Sequence, residues 1–176
     1  VLGFESGGAT DVVAVHYDAS GATTSTTTLP LATGTYGAAA ALLQPDGAIV
    51  VASDDGGQAL ALRLLPNGAA DPTFGVGGLS TLAVGASSGA RALARDPASG
   101  NLYVGGFSGS PHQCFVARVT PAGALDASYA TAGVLAIAQG DSCDVAALAV
   151  DGGGKLLVLA TVASGSATRM IVARYW

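Results

Sequence analysis

The chain repeats itself. Ile49, Leu102 and Leu156 each open an apolar run behind an Asp/Gly turn, and they stand 53 and 54 residues apart. The turns are Gln44-Pro45-Asp46-Gly47, Asp96-Pro97-Ala98-Ser99-Gly100 and Asp151-Gly152-Gly153-Gly154. A second run, Leu60 to Gly75, recurs at Phe115 to Tyr129. A decayed copy starts at Val13, and another starts at Ile171 and runs into Trp176. A unit of this length cannot bury its own apolar face and must stack on its neighbours, which constrains the chain to an array or a propeller.

Each period divides into four strands. An Ala-rich strand (Ala39 to Leu43, Ala90 to Ala94, Val145 to Val150) turns into an apolar one (Ile49 to Ala52, Leu102 to Gly106, Leu156 to Thr161). A strand ending in Arg follows, and a Pro/Asn/Gly turn leads to a fourth strand such as Leu79 to Val84 or Val134 to Ala138. Small side chains suit the crowded axis of a propeller, so the Ala-rich strand is placed innermost; a helix over Ala38 to Leu42 is the competing reading, because Ala is a poor strand former. The expected fold is all-β: a β-propeller-like array of four-stranded antiparallel blades, about three and a half repeats, incomplete at both ends. Its parts are a partial blade at 1–36, blades at 37–87 and 88–142, and a partial blade at 143–176.

Composition narrows the function classes. With 7 basic and 12 acidic residues the net charge is −5, so no basic surface exists to neutralise a nucleic-acid backbone. The longest uncharged stretch, Ala19 to Pro45, is full of Thr, Ser and Gly and cannot cross a bilayer as an apolar helix. The 26 glycines lack a three-residue period, which excludes a collagen strand. Val1 opens directly on an apolar run, so a processed product or an excised fragment is expected.

The runs Gln44-Pro45-Asp46-Gly47 and Asp71-Pro72-Thr73-Phe74-Gly75 resemble the bacterial delta-60 repeat family, and the resemblance is closest over Leu43 to Gly78. It implies a propeller-like repeat protein, secreted or at the bacterial cell surface. It implies no catalytic residues.

Within the repeat, Arg63 and Arg118 are each followed eight residues later by an acid, Asp71 and Asp126. A charge-assisted hydrogen bond between the third strand and the next turn is expected in each blade. In the decayed unit both partners are replaced together, by His16 and Thr24, as a structural pair requires. Arg174 has no following Asp.

Cys114 opens a third strand and Cys143 precedes the next innermost strand, on the same face of adjacent blades. A disulfide there would close a loop of roughly 30 residues, worth roughly 3 kcal/mol; two thiols are the alternative. Asp54 with Asp55, and Asp141 with Asp144, fall in loops on that face and could take calcium through their oxygens, although solvated turn residues fit their spacing better. No other cofactor is indicated. His112 lies beside serines, but no nucleophile elbow surrounds it.

A blade short of a strand leaves apolar faces and sheet edges uncovered. The partner expected is another protein chain or a second copy, with Tyr175 and Trp176 as candidate contacts. The leading reading is therefore a non-catalytic structural or interaction subunit. A ligand-binding, carbohydrate-binding or hydrolytic propeller with its site on the Cys114/Cys143 face is the rival.

Overall fold

The computed structural model describes residues 2–3, 11–30 and 39–175. All the secondary structure among them is strand, in four antiparallel sheets. The first sheet holds β1 (Leu2–Gly3), β2 (Asp11–Tyr17) and β3 (Thr23–Pro30); the second holds β4 (Ala40–Leu43), β5 (Ile49–Asp54), β6 (Ala59–Leu64) and β7 (Leu79–Thr81). The third contains β8 (Gly89–Arg95), β9 (Leu102–Ser108), β10 (Gln113–Val119) and β11 (Val134–Ile137). The fourth contains β12 (Ser142–Val150), β13 (Leu156–Ser164) and β14 (Ala167–Tyr175). In every sheet the strands lie in chain order, as tight turns between successive strands dictate.

The Ala-rich segment at 40–43 is a strand paired with β5, Ala40 opposite Ala52 and Leu43 opposite Ile49, and not a helix. Four residues without a partner would favour a helix or nothing; the ladder to Ile49–Ala52 overrides that propensity. The fourth strands are shorter than expected, β7 ending at Thr81. Cys143 lies within β12 rather than ahead of it.

Sheets stack face to face in chain order, and alternation along each strand serves both neighbours. In β10, Phe115, Ala117 and Val119 join Val50, Ala61 and Phe74 of the second sheet in one core. Cys114 and Val116, pointing the other way, join Val145, Leu156, Val158 and Ala160 of the fourth in another. A smaller cluster of Ala14, Val51, Leu62 and Leu64 joins the first two sheets.

The Ala-rich strands form the edge at which sheets approach most closely. β8 packs across β4, β5 and β6, and β12 packs across β8, β9 and β10. The sheets leave no room there for a larger residue: a Cβ on Gly105 of β9 would lie 2.7 Å from Val145 Cγ1 of β12. Both β8 and β12 shift register by one residue, between Ala90 and Ala92 and between Val145 and Ala147, so the repeat extends to its bulges.

Candidate functional site

The recurring arginines sit at the ends of the third strands, where the next turn folds back beneath them. Arg63 pairs through Nη1 with Asp71 and through Nη2 with Asp46, and its Nε donates to Gln44 Oε1 at 2.7 Å. Arg118 donates from Nε to Asp126 Oδ2 at 2.8 Å and from Nη2 to Ser128 Oγ at 2.9 Å.

Each acid is also held by its own turn. The Thr73 hydroxyl and N–H donate to Asp71 Oδ1, and the Ser128 hydroxyl and N–H do the same for Asp126. These bonds, more than the arginines, hold both carboxyls below the usual aspartate range.

Arg174 also has an acidic partner. It pairs with Asp151, in the turn between β12 and β13, and Nε donates to Oδ2 at 2.9 Å. Asp151 occupies the repeat position of Gln44, which accepts from Arg63 Nε, so the tie from the third strand to the turn before the second strand recurs in the fourth sheet. In the decayed unit Thr24 Oγ1 donates to the His16 carbonyl at 3.2 Å.

Cys114 of β10 and Cys143 of β12 form a disulfide, with Cα atoms 5.0 Å apart and both side chains buried. The Cys143 N–H donates to the His112 carbonyl at 2.8 Å, which continues the tie between the third and fourth sheets. Burial on this scale shields the bridge from reductants.

The four acids proposed for calcium are not brought together. Asp54 pairs with Arg91 at 2.7 Å. Asp55 Oδ1 accepts the Gly57 and Gln58 N–H groups, and Asp141 Oδ2 accepts that of Gly165. Each of these three carboxylates is thus consumed by a local turn or a guanidinium. Among the described residues no group of three or more His, Cys, Asp and Glu side chains could hold a metal ion.

Asp144 differs: its Oδ1 is buried without a hydrogen-bond partner, and burial raises its carboxyl against the opposing charges of Arg91 and His112. Arg91 in turn lies over the Phe107 ring at 4.8 Å, and Phe107 stacks on His112 with centroids 3.7 Å apart. His112 is therefore occupied as an aromatic partner.

A cleft lies elsewhere, between the third and fourth sheets. It encloses about 400 Å³ and is lined by Tyr103, Arg118, Ser128, Tyr129, Leu135 and Tyr175 among others. Tyr103 and Tyr129 meet edge to face at 5.7 Å, and the Arg118 guanidinium lies 4.8 Å from the Tyr129 ring centre. The Tyr129 hydroxyl is buried with no partner. Burial, helped by Tyr103 and Tyr175, pushes it up to about 12, so it stays a hydrogen-bond donor across the physiological range.

Of the residues singled out as partner contacts, Tyr175 lines this cleft, and Trp176 lies outside the described residues. Tyr103 and Tyr129 are legible in the sequence only as departures from the repeat, standing where the preceding unit has Val50 and Phe74.

Recurring turns, stacked antiparallel sheets and a recurring arginine at 63, 118 and 174 define an all-β, propeller-like repeat protein. Residues 44–74 match the family described as Domain of unknown function (DUF5122) beta-propeller, which supports a propeller-like repeat family. No curated protein matches the chain. Among the described residues no helix is long and apolar enough to cross a membrane.

Proposed function

We propose that the protein is a non-catalytic interaction module of the delta-60 repeat kind, whose fourth sheet docks a second copy of the chain. One observation carries this reading. Ala59 and Ala61 in β6, and Cys114 and Val116 in β10, are at most 1% exposed, whereas Met170 and Val172 at the same positions of β14 are 73% and 71% exposed.

In the second and third sheets that face carries the next sheet. In the fourth it is bare, with Leu159 directly opposite Val172 and Leu157 opposite Arg174 on the same side of the ladder. Among the described residues β14, nine residues long, has no strand on its outer side, where β6 and β10 are paired with a fourth strand.

The chain offers its own occupant. Among the described residues the first sheet lies at the other side of the stack, with its Ala14 face turned to the second sheet. Two copies joined head to tail would meet through two equivalent contacts and close into eight blades. A secreted or surface location fits the disulfide.

Light scattering on the purified chain tests this. A dimer is expected, and Met170→Lys with Val172→Lys should return a folded monomer. A wild-type chain that stays monomeric at every concentration and binds no apolar dye overturns it.

A further inference from the structure

Arg95 breaks the repeat. It ends β8 opposite Leu102, at the place where Leu43 ends β4 opposite Ile49 and Val150 ends β12 opposite Leu156. An apolar residue satisfies the ladder at this position in the other two sheets, so the fold does not call for a cation.

The charge is also unspent. Of the four half-buried arginines, Arg63, Arg91 and Arg118 each pair with an aspartate, whereas Arg95 takes part in no ion pair among the described residues. Asp96, next in the chain, is engaged by its own turn. Its carboxylate accepts the Ser99 hydroxyl and the Ala98 N–H, and these bonds lower its pKa more than the charge of Arg95 does.

Arg95 lines a cavity of about 310 Å³ between the second and third sheets, together with Gln44, Asp46, Arg63, Ser99 and Pro121. Its guanidinium lies against the turn at Gly100, where a Cβ would stand 3.3 Å from Nη2 and 3.5 Å from Pro121 Cγ; the φ of +76° favours glycine there as well. The second sheet supplies a braced polar set. Gln44 is 8% exposed, and its Oε1 accepts from Arg63 Nε at 2.7 Å, so the other end of the carboxamide is an NH2 donor. Asp46 pairs with Arg63 and accepts the Ala48 N–H at 3.0 Å, and its side chain is still 57% exposed.

We infer that this cavity binds a small hydroxylated monocarboxylate, the chemistry of a sugar acid. The ligand carboxylate lies in the fork of Arg95, which offers two parallel N–H donors. The ligand hydroxyls donate to Asp46 and accept from the Gln44 carboxamide, with Ser99 beside them. One unpaired guanidinium matches one negative charge, and the Asp46 carboxylate repels a phosphate dianion. The volume stands at the lower end of the range for specific small-ligand sites, which suits one sugar ring between proline walls. The site uses no residue of β14 or of the first sheet, so it is independent of the pairing of copies.

The probe is D-glucuronate, titrated calorimetrically into the full chain, with D-glucose, inorganic phosphate and N-acetylaspartate amide as competitors. Saturable one-to-one binding is expected, with a dissociation constant on the order of 1 mM, and each competitor should bind more weakly. Arg95→Leu installs the residue that Leu43 already shows to be compatible with the strand. It should keep the wild-type urea midpoint and weaken glucuronate binding about tenfold or more. Arg95→Lys keeps the charge without the fork and should fall between the two. Arg169→Gln, which removes an exposed charge of β14, should leave the affinity unchanged.

No saturable binding of glucuronate, equal binding of glucose, or undiminished affinity in Arg95→Leu overturns the site. Tighter binding of phosphate or of the aspartate derivative overturns the sugar acid as its ligand.

Discussion

The third and fourth sheets carry the same three residues in the same strand, Val116-Ala117-Arg118 and Val172-Ala173-Arg174. Val116 is fully buried and Val172 is 71% exposed. Strand, register and side-chain direction are equal; the difference is the sheet that packs on one and not on the other. Burial in a stacked repeat is a property of the junction, and a residue becomes core only when the following unit arrives.

That comparison breaks first under charge. Val116→Asp places a carboxylate in the core between the third and fourth sheets and should cost more than about 4 kcal/mol, enough to unfold a chain of ordinary stability. Val172→Asp should stay within about 0.5 kcal/mol when measured by urea unfolding on dilute protein. Equal costs would mean that something already covers the face of β14.

Next in size is the disulfide, which crosses the one junction that separates the two sheets. Cys114→Ser with Cys143→Ser should lose about 3 to 4 kcal/mol. Hydrogen exchange should show the loss concentrated in β12 to β14, because the first and second sheets are joined by contacts that the bridge does not touch. Uniform loss along the chain would make the stack a single cooperative unit.

The ion pairs give a graded series. Asp71 is 3% exposed and closes the Arg63 network, so Asp71→Asn should cost about 2 kcal/mol. Asp126→Asn, more open to solvent, should cost less than Asp71→Asn, and Arg174→Gln, on a side chain 57% exposed, close to nothing. The acid dependence has a definite sign. Both carboxyls titrate lower in the fold than in the open chain, so their contribution is complete above the ordinary aspartate value of about 3.9 and fades as pH falls through the depressed folded values. Urea midpoints between neutral pH and pH 3 should converge for wild type and Asp71→Asn.

The repeat made much of this legible. Periods of 53 and 54 residues fixed where turns fall, and turn residues with alternating apolar positions placed the strands between them. Arg63 with Asp71 and Arg118 with Asp126 were visible because both recur at one spacing. What did not show was chemistry that depends on neighbours far along the chain. Asp151 lies 23 residues before Arg174, and only the β13–β14 ladder brings them together. Asp54 is drawn to Arg91 of the next sheet, which removes it from any acidic cluster. The tyrosine cleft was hidden for a different reason: a site made of departures from a repeat appears only when the units are compared position by position and the place of each in the stack is known.

The smallest effect is expected at Asp144, which sharpens the contrast between the two sheets because its counterpart in the third is Gly89. There the absence of a side chain lets Phe107 and Arg91 lie within 3.0 Å of where a Cβ would be. In the fourth sheet the same place holds a carboxyl with one buried, unpartnered oxygen and a raised pKa. A carboxyl whose pKa rises on folding weakens the fold while it is ionised, and that penalty disappears as pH falls through the raised folded value. Asp144→Asn should therefore be more stable than wild type at neutral pH by a few tenths of a kcal/mol, the exposed part of the group being screened by water. The gap should narrow as pH falls through the raised folded value and close only once the ordinary aspartate value of about 3.9 is passed. If Asp144→Asn is instead less stable at neutral pH, the charges of Arg91 and His112 outweigh burial, and the carboxylate belongs with the ion pairs that hold the sheets together.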